Sequence, residues 1–171
     1  MKPEDQDILR QRAKELAFEI IEPIKEESID VLEFMSGEEY YAIDSLYIKE
    51  VYSIRELTQI PFTPDYILGV INIRGEIFSV IDFKILFNSK PQIINEKNKA
   101  IVVKNNDMEF SLLTEKIIGI KSLKKSDIFD TPLTLNELQS EYISGVTKDG
   151  LIIINIDKML SDEKMIVHQE I

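Results

Sequence analysis

The sequence predicts a mainly β protein made of two similar small barrels, with short helices and one longer helix at its N-terminus. Three observations lead there. From Val31 onward, short segments rich in Val, Ile, Tyr and Phe are punctuated by Gly, Pro, Asn and Asp at intervals of about ten residues, the signature of short antiparallel strands. The chain also repeats itself: "YILGVINIRGEIFSVIDFKIL" (66–86) lies over "YISGVTKDGLIIINIDKML" (142–160), with Tyr66, Gly69 and Val70 matching Tyr142, Gly145 and Val146. After a one-residue deletion, Gly75 matches Gly150 and Asp82 matches Asp157. Finally, 171 residues with 44% hydrophobic content can bury a core without disulfide or metal staples. Each half is expected to form a five-stranded barrel.

The elements follow in chain order. In "DILRQRAKELAFEI", Leu9, Ala13, Leu16 and Ile20 recur at three- and four-residue spacing, acids open the segment and Pro23 closes it, so a helix is expected whose apolar stripe docks on its own domain. Strands are expected at 30–35, 39–44, 47–52, 67–73, 77–81, 100–104, 109–113, 117–121, 143–147 and 151–155. "MSGEEY", "KNNDME" and "NIRGEI" read as hairpin turns, the last because Gly75 accepts the positive φ that such turns require. Asp82 and Asp157 precede the apolar segments "FKILF" and "KMLS", where an aspartate suits the cap of a short helix.

Composition removes several classes of function. A net charge of −11 repels nucleic-acid phosphates and anionic lipid, and the one basic cluster, "KSLKK" (121–125), reads as a solvated turn. With no Cys there is no thiolate chemistry, and the single His168, in a polar tail, cannot build a His base site or a multi-His metal site. Phosphate-binding glycine loops and nucleophile elbows are missing from the sequence. Glu26 with Glu27 and Glu38 with Glu39 read as solvent-facing pairs, and "PFTP" (61–64) as a rigid connection. The charged start "MKPEDQDILRQ" and apolar runs no longer than "LIIINI" point to a cytoplasmic chain without membrane insertion. Neither cofactor nor metal is expected.

One residue resists a structural explanation. Arg74 sits beside Gly75 at a hairpin tip between two apolar strands, where a long cation must project outward or lie over a neighbouring surface.

The surrounding pattern resembles the CheW-like chemotaxis coupling family. Glu50 and Val51, Thr58 and Pro61, Gly69 and Val70, Asn72, Ile73, Arg74 and Gly75, then Val80, Ile81 and Asp82 fall where that family has its E-V strand, Thr-x-apolar-Pro turn, G-V segment, N-[LI]-R-G turn and Asp-ended strand. The likeness runs on through "AIVVKNNDMEFSLLTEKIIGI", "DIFDTP" and "YISGVTKDGLIIINIDKML", about residues 29–160. It implies two SH3-like β-barrel subdomains and a scaffold without catalysis. By the same implication, the partners are a chemoreceptor cytoplasmic tip and the regulatory domain of a CheA-type histidine kinase, met in arrays at the inner membrane. Ile48, Glu50, Asn72, Ile73, Arg74 and Gly75 would then form the receptor-facing surface, with Glu50 and Arg74 paired on adjacent hairpins and Ile48 and Ile73 giving apolar contact.

Two residues depart from the family pattern: Ser79 where proline is common, and Asn88 where glycine is common. The expected organisation is a helical extension and linker (1–28), a CheW-like domain of two intertwined subdomains (29–165) and a tail (166–171). Two other functions stay open: an adaptor of a chemosensory pathway that controls surface motility or a second messenger, and a small-molecule-binding regulatory barrel.

Overall fold

The computed structural model describes residues 3–20, 26–87, 90–91, 93–131 and 137–165. His168 and Asn88 lie outside them. Helix α1 spans Pro3–Ile20. The strands are β1 (Ser28–Ser36), β2 (Glu39–Asp44), β3 (Ile48–Ser53), β4 (Ile67–Ile73), β5 (Glu76–Ile81), β6 (Lys99–Lys104), β7 (Glu109–Thr114), β8 (Lys116–Lys124), β9 (Ile128–Phe129), β10 (Ile143–Thr147) and β11 (Ile152–Ile154). Short helices α2 (Phe83–Leu86), α3 (Glu137–Tyr142) and α4 (Ile156–Leu160) fill the corners. All ten expected strands are present, while β9 and α3 were not anticipated.

The strands make two sheets, one ordered β8-β1-β2-β11-β10-β9 and one ordered β3-β6-β7-β5-β4. Neither is one sequential half. The opening hairpin β1–β2 pairs in parallel with β11 of the second half, and β6–β7 pairs in parallel with β5 of the first. Each sheet therefore takes its first two strands from the other repeat. The expected two-subdomain β fold is present as one sheet of six strands and one of five, and among the described residues no continuous ladder closes either sheet. Instead, the segment leaving one edge bends across to the opposite edge. After β3, Thr58 and Val70 exchange two backbone hydrogen bonds of 2.9 and 2.8 Å, which join that segment to β4. After β8, β9 pairs with β10 in the same way.

The exchange of hairpins puts the largest core between the sheets. Leu32, Phe34, Tyr41 and Ile43 from one face meet Ile81, Ile101, Val103, Phe110 and Leu112 from the other, with Met159 and Leu160 of α4 beneath. At its centre the buried Phe83 ring lies 4.8 Å from Tyr41, 5.9 Å from Phe34 and 5.8 Å from Phe87, two-thirds of these contacts lying across segments far apart in sequence. Truncating a fully buried Phe of this kind typically costs about 3–5 kcal/mol. Each sheet also wraps a smaller cluster: Ile54, Ile71, Ile73, Phe78 and Val102 in one, Val31, Ala42, Leu123 and Ile153 in the other.

One local feature meets expectation and three do not. The Asp82 side chain caps α2 by accepting the Lys84 amide at 3.0 Å. Asp157 is no cap: it lies in the first turn of α4, and Asn155 accepts the Lys158 amide at 3.0 Å, because the helix starts two residues earlier than the apolar pattern suggests. The basic cluster 121–125 is not the expected turn: residues 121–124 end β8 with Leu123 buried, and Lys124 and Lys125 pair with Glu26 and Glu27 at 2.6 and 2.7 Å. Helix α1 does not dock on the domain over Glu4 to Leu16, where every residue is exposed.

Candidate partner-binding site

Backbone geometry builds the site before any side chain enters. Ile73 pairs with Glu76, so only Arg74 and Gly75 make the β4–β5 turn, with φ of 53° and 90°. Two successive positive φ values define the type I′ turn that matches strand twist, usually filled by Asn-Gly or Gly-Gly. Placing arginine in the left-handed region costs of order 1 kcal/mol. Asn72 offsets part of this by accepting the Gly75 amide on its side-chain oxygen at 2.9 Å. Strand β3 contributes a second irregularity: Ile48 pairs with Val103 and Glu50 with Val102, so Lys49 is an inserted bulge residue. Bulges re-aim side chains and concentrate near functional surfaces.

β3 and β4 are opposite edges of their sheet, not adjacent hairpins as expected. Curling brings them together, and charge bridges the gap. Arg74 Nη1 lies 3.3 Å from Glu50 Oε2, with the arginine side chain 82% exposed and the glutamate 22%. The expected pair is therefore present, at a site reached through the curl of the sheet. Beside it Lys49 Nζ lies 2.6 Å from Glu76 and 3.6 Å from Glu109, and 5.0 Å from the Phe78 ring centroid. Its hydrogen bond to Glu76 raises the lysine pKa and lowers that of Glu76, so both stay charged at neutral pH.

The six expected residues do not share one face. Ile73 is corrected: it is 2% exposed and packs inside the curled sheet with Ile71 and Phe78, because alternation along β4 turns positions 67, 69, 71 and 73 inward. It offers no surface contact. Ile48 is half-buried, packed on the main core from the rim of a cleft of about 740 Å³. Lys49, Lys104, Asn105, Asp157 and Ser161 complete that wall where the β6–β7 turn and α4 meet β3. Exposed apolar area near the hairpin comes from Ile77, 67% exposed and opposite Asn72, and from Val51, 41% exposed. Sequence reasoning missed both, although the same alternation that buries Phe78 exposes Ile77.

One more feature lies at the far end of β4, about 23 Å away at 3.3 Å per residue. Phe62 is fully exposed with φ of 63°. The Thr63 hydroxyl donates to the Ile60 carbonyl at 3.0 Å, and the Ile67 amide donates to the Pro64 carbonyl at 2.9 Å, which fixes the loop around it.

Among the described residues no group of three or more His, Cys, Asp or Glu is placed to hold a metal, and no helix is long and apolar enough to cross a membrane. Two interlocked β units gather charge and backbone strain at one hairpin tip. Residues 30–164 match the CheW-like domain family, and the chain belongs to it. It is 30% identical over 157 residues to the chemotaxis protein CheW of Helicobacter pylori, covering 91% of this chain and 95% of that one. Against the chemotaxis protein CheW of Klebsiella aerogenes it is 32% identical over 139 residues, 80% of this chain and 84% of the relative. The crystal structure of the scaffolding protein TtCheW from Thermoanaerobacter tengcongensis superposes with a TM-score of 0.65 at 26% identity, covering 77% of this chain and 87% of that one. Proteins of this family are non-catalytic scaffolds of chemotaxis signalling, and this chain is accordingly an adaptor and not an enzyme.

Proposed function

We propose that the protein couples chemoreceptor cytoplasmic tips to the regulatory domain of a CheA-type histidine kinase, in the cytoplasm at receptor arrays on the inner membrane. Residues 29–165 would be the coupling unit, with 1–28 as an extension and 166–171 as a tail. Receptor contact is assigned to Ile48, Glu50, Asn72, Arg74 and Gly75. The observation that carries this reading is Arg74: an exposed arginine kept in a left-handed turn position at a cost in stability, and aimed by Glu50.

An exposed ion pair contributes only about 0–1 kcal/mol to folding, so Arg74→Glu should barely move the thermal midpoint. Binding should respond more, because losing an interface arginine costs on the order of 2 kcal/mol, around thirtyfold in affinity. With receptor, kinase and adaptor reconstituted together, Arg74→Glu is expected to remain folded and lose most receptor-dependent kinase stimulation. Glu50→Arg combined with Arg74→Glu should recover part of it. Full stimulation by folded Arg74→Glu would remove the hairpin from the interface. A pull-down from native lysate that recovers neither a receptor nor a histidine kinase would reject the coupling role.

A further inference from the structure

The charges behind the Arg74 tip form an arrangement of their own. Strands β3 and β4 are opposite edges of a curled sheet. Among the described residues, the backbone bonds that join the β3 side to β4 are the two exchanged by Thr58 and Val70. From Val70 to Arg74 is about 13 Å at 3.3 Å per residue. Side chains must hold that stretch.

The β3 bulge supplies them. Glu50 pairs with Val102, whose side chain lies inside the curl, and an unbroken strand would turn Lys49 to the other face. With Lys49 inserted as the extra residue, both side chains point inward. Lys49 Nζ stands 5.0 Å from the centroid of the buried Phe78 ring and 2.6 Å from Glu76 of the hairpin. Glu109 of β7 lies 3.6 Å from the same ammonium, and Lys104 lies 3.8 Å from Glu109. Signs therefore alternate across the mouth of the curl.

Two of these ion pairs cross from β3 to the hairpin. β3 offers Lys49 and then Glu50, and the hairpin offers Arg74 and then Glu76. Only one register sets unlike charges together; the other would bring Lys49 to Arg74 and Glu50 to Glu76. The two bridges are unequal. Arg74 reaches Glu50 from a side chain that is 82% exposed, where solvent weakens the pair. The Lys49 side chain is 29% exposed, and its ammonium meets two carboxylates and a ring. Nor does the fold require the network. In the second unit Ile118 is the bulge residue, Gly119 stands in place of Glu50, and the buried Leu151 follows Gly150 as Glu76 follows Gly75.

We infer that Lys49 is a positioning residue: it clamps the β4–β5 hairpin to β3 and so fixes the direction in which Arg74 is presented. The clamp's use in receptor contact rests on the coupling role proposed above.

Lys49→Met tests this in the full chain, keeping a stem over Phe78 and deleting the charge. Amide 15N order parameters at residues 74–76, about 0.85 for a rigid tip, should fall below about 0.6 in the variant. Those of the rest of the sheet, and the thermal midpoint, should stay unchanged. Affinity for a soluble chemoreceptor cytoplasmic fragment should fall on the order of fivefold, because the tip must then be ordered on binding. Lys49→Arg, which keeps the charge, should restore both. An ordered tip in Lys49→Met overturns the proposal, as does failure of Lys49→Arg to restore it. Disorder spread through the sheet with a fallen midpoint also overturns it, being the mark of a mere brace, and so does unchanged affinity despite a released tip. A tip released by Lys49→Met in a protein whose parent does not bind the fragment supports the clamp and rejects the receptor reading.

Discussion

The two sheets correspond over five strands each, and they differ in one strand-and-hairpin corner. β3 corresponds to β8, since each pairs with the first strand of an exchanged hairpin and each carries a one-residue bulge. Ile48 thereby matches Ile117, and both pack on the main core. At the next paired position one sheet has Glu50 and the other Gly119. The hairpins differ in parallel. β4–β5 closes in two residues with Arg74 at positive φ, whereas β10–β11 uses the longer loop Lys148–Gly150, with Gly150 at φ 87° and no side-chain-bearing residue in the left-handed region. One copy of the unit thus relaxed into an ordinary hairpin while the other kept a strained arginine and its counter-ion. Duplication supplies its own control: what the fold requires occurs twice, and what occurs once is there for something else.

The largest expected effects test what the fold requires twice. A Cβ at Gly69 would lie 2.2 Å from the Thr58 carbonyl oxygen, and one at Gly145 would lie 2.5 Å from the Phe129 carbonyl oxygen. Backbone cannot yield cheaply at either crossing. Gly69 also has φ 148°, so Gly69→Ala should destabilise by about 4 kcal/mol and Gly145→Ala by about 2–3 kcal/mol, read from urea midpoints. Tolerance of alanine at one crossing but not at the other would break the correspondence of the units.

Smaller effects of opposite sign are expected where strain occurs once. Arg74→Gly should raise folding stability by about 1 kcal/mol, less whatever the ion pair contributes, and still lose coupling. Phe62→Gly removes the same kind of strain and should also raise stability by about 1 kcal/mol. If thermal melts show both variants less stable than the parent, the positive-φ conformations are not strained and the contrast between hairpins loses its energetic basis.

The smallest signal is a slope against pH. The matched tyrosines converge on residues 162–164: the Tyr66 hydroxyl donates to the Lys164 carbonyl at 2.6 Å, and the Tyr142 hydroxyl donates to Asp162. Burial raises the Tyr142 pKa, and so does its hydrogen bond to Asp162. Burial works against the charged form of Asp162, yet the hydrogen bonds from Tyr142 and the Lys164 amide outweigh it and hold that carboxyl below its usual value. A lowered acid contributes stability above its unfolded pKa of about 4 that is lost as pH falls through the native value. A raised tyrosine contributes stability below about pH 10 that is lost as pH climbs further. Tyr142→Phe should flatten both limbs of the stability profile, and an unchanged acid limb would show that the pair contributes nothing there.

How much of this was legible depends on the range of each interaction. Period-two alternation and turn residues are local, so ten strands and the Gly75 turn could be read directly. The two residues of β9 are too few to show a period. The cap of α4 was misplaced because Asn155 and Asp157 are both good caps, and only the docking of Ile156 into the main core decides between them. Ile73 is expected at the surface only through the resemblance, although its own alternation with Ile71 places it inside. The ion pair could be anticipated only from resemblance, since its partners stand at opposite edges of a sheet.

The sequence by itself determined a duplicated, mainly β chain with a charged hairpin tip, because composition, alternation and glycine placement act within a few residues. Only the tertiary structure decided that the halves exchange their opening hairpins, that a bulge at Lys49 offsets Glu50, and that curling carries Arg74 across to it. Those outcomes depend on which strand edges meet. Backbone hydrogen bonds are alike for every edge, so the choice falls to non-local packing, here the aromatic and aliphatic core that the two sheets bury between them.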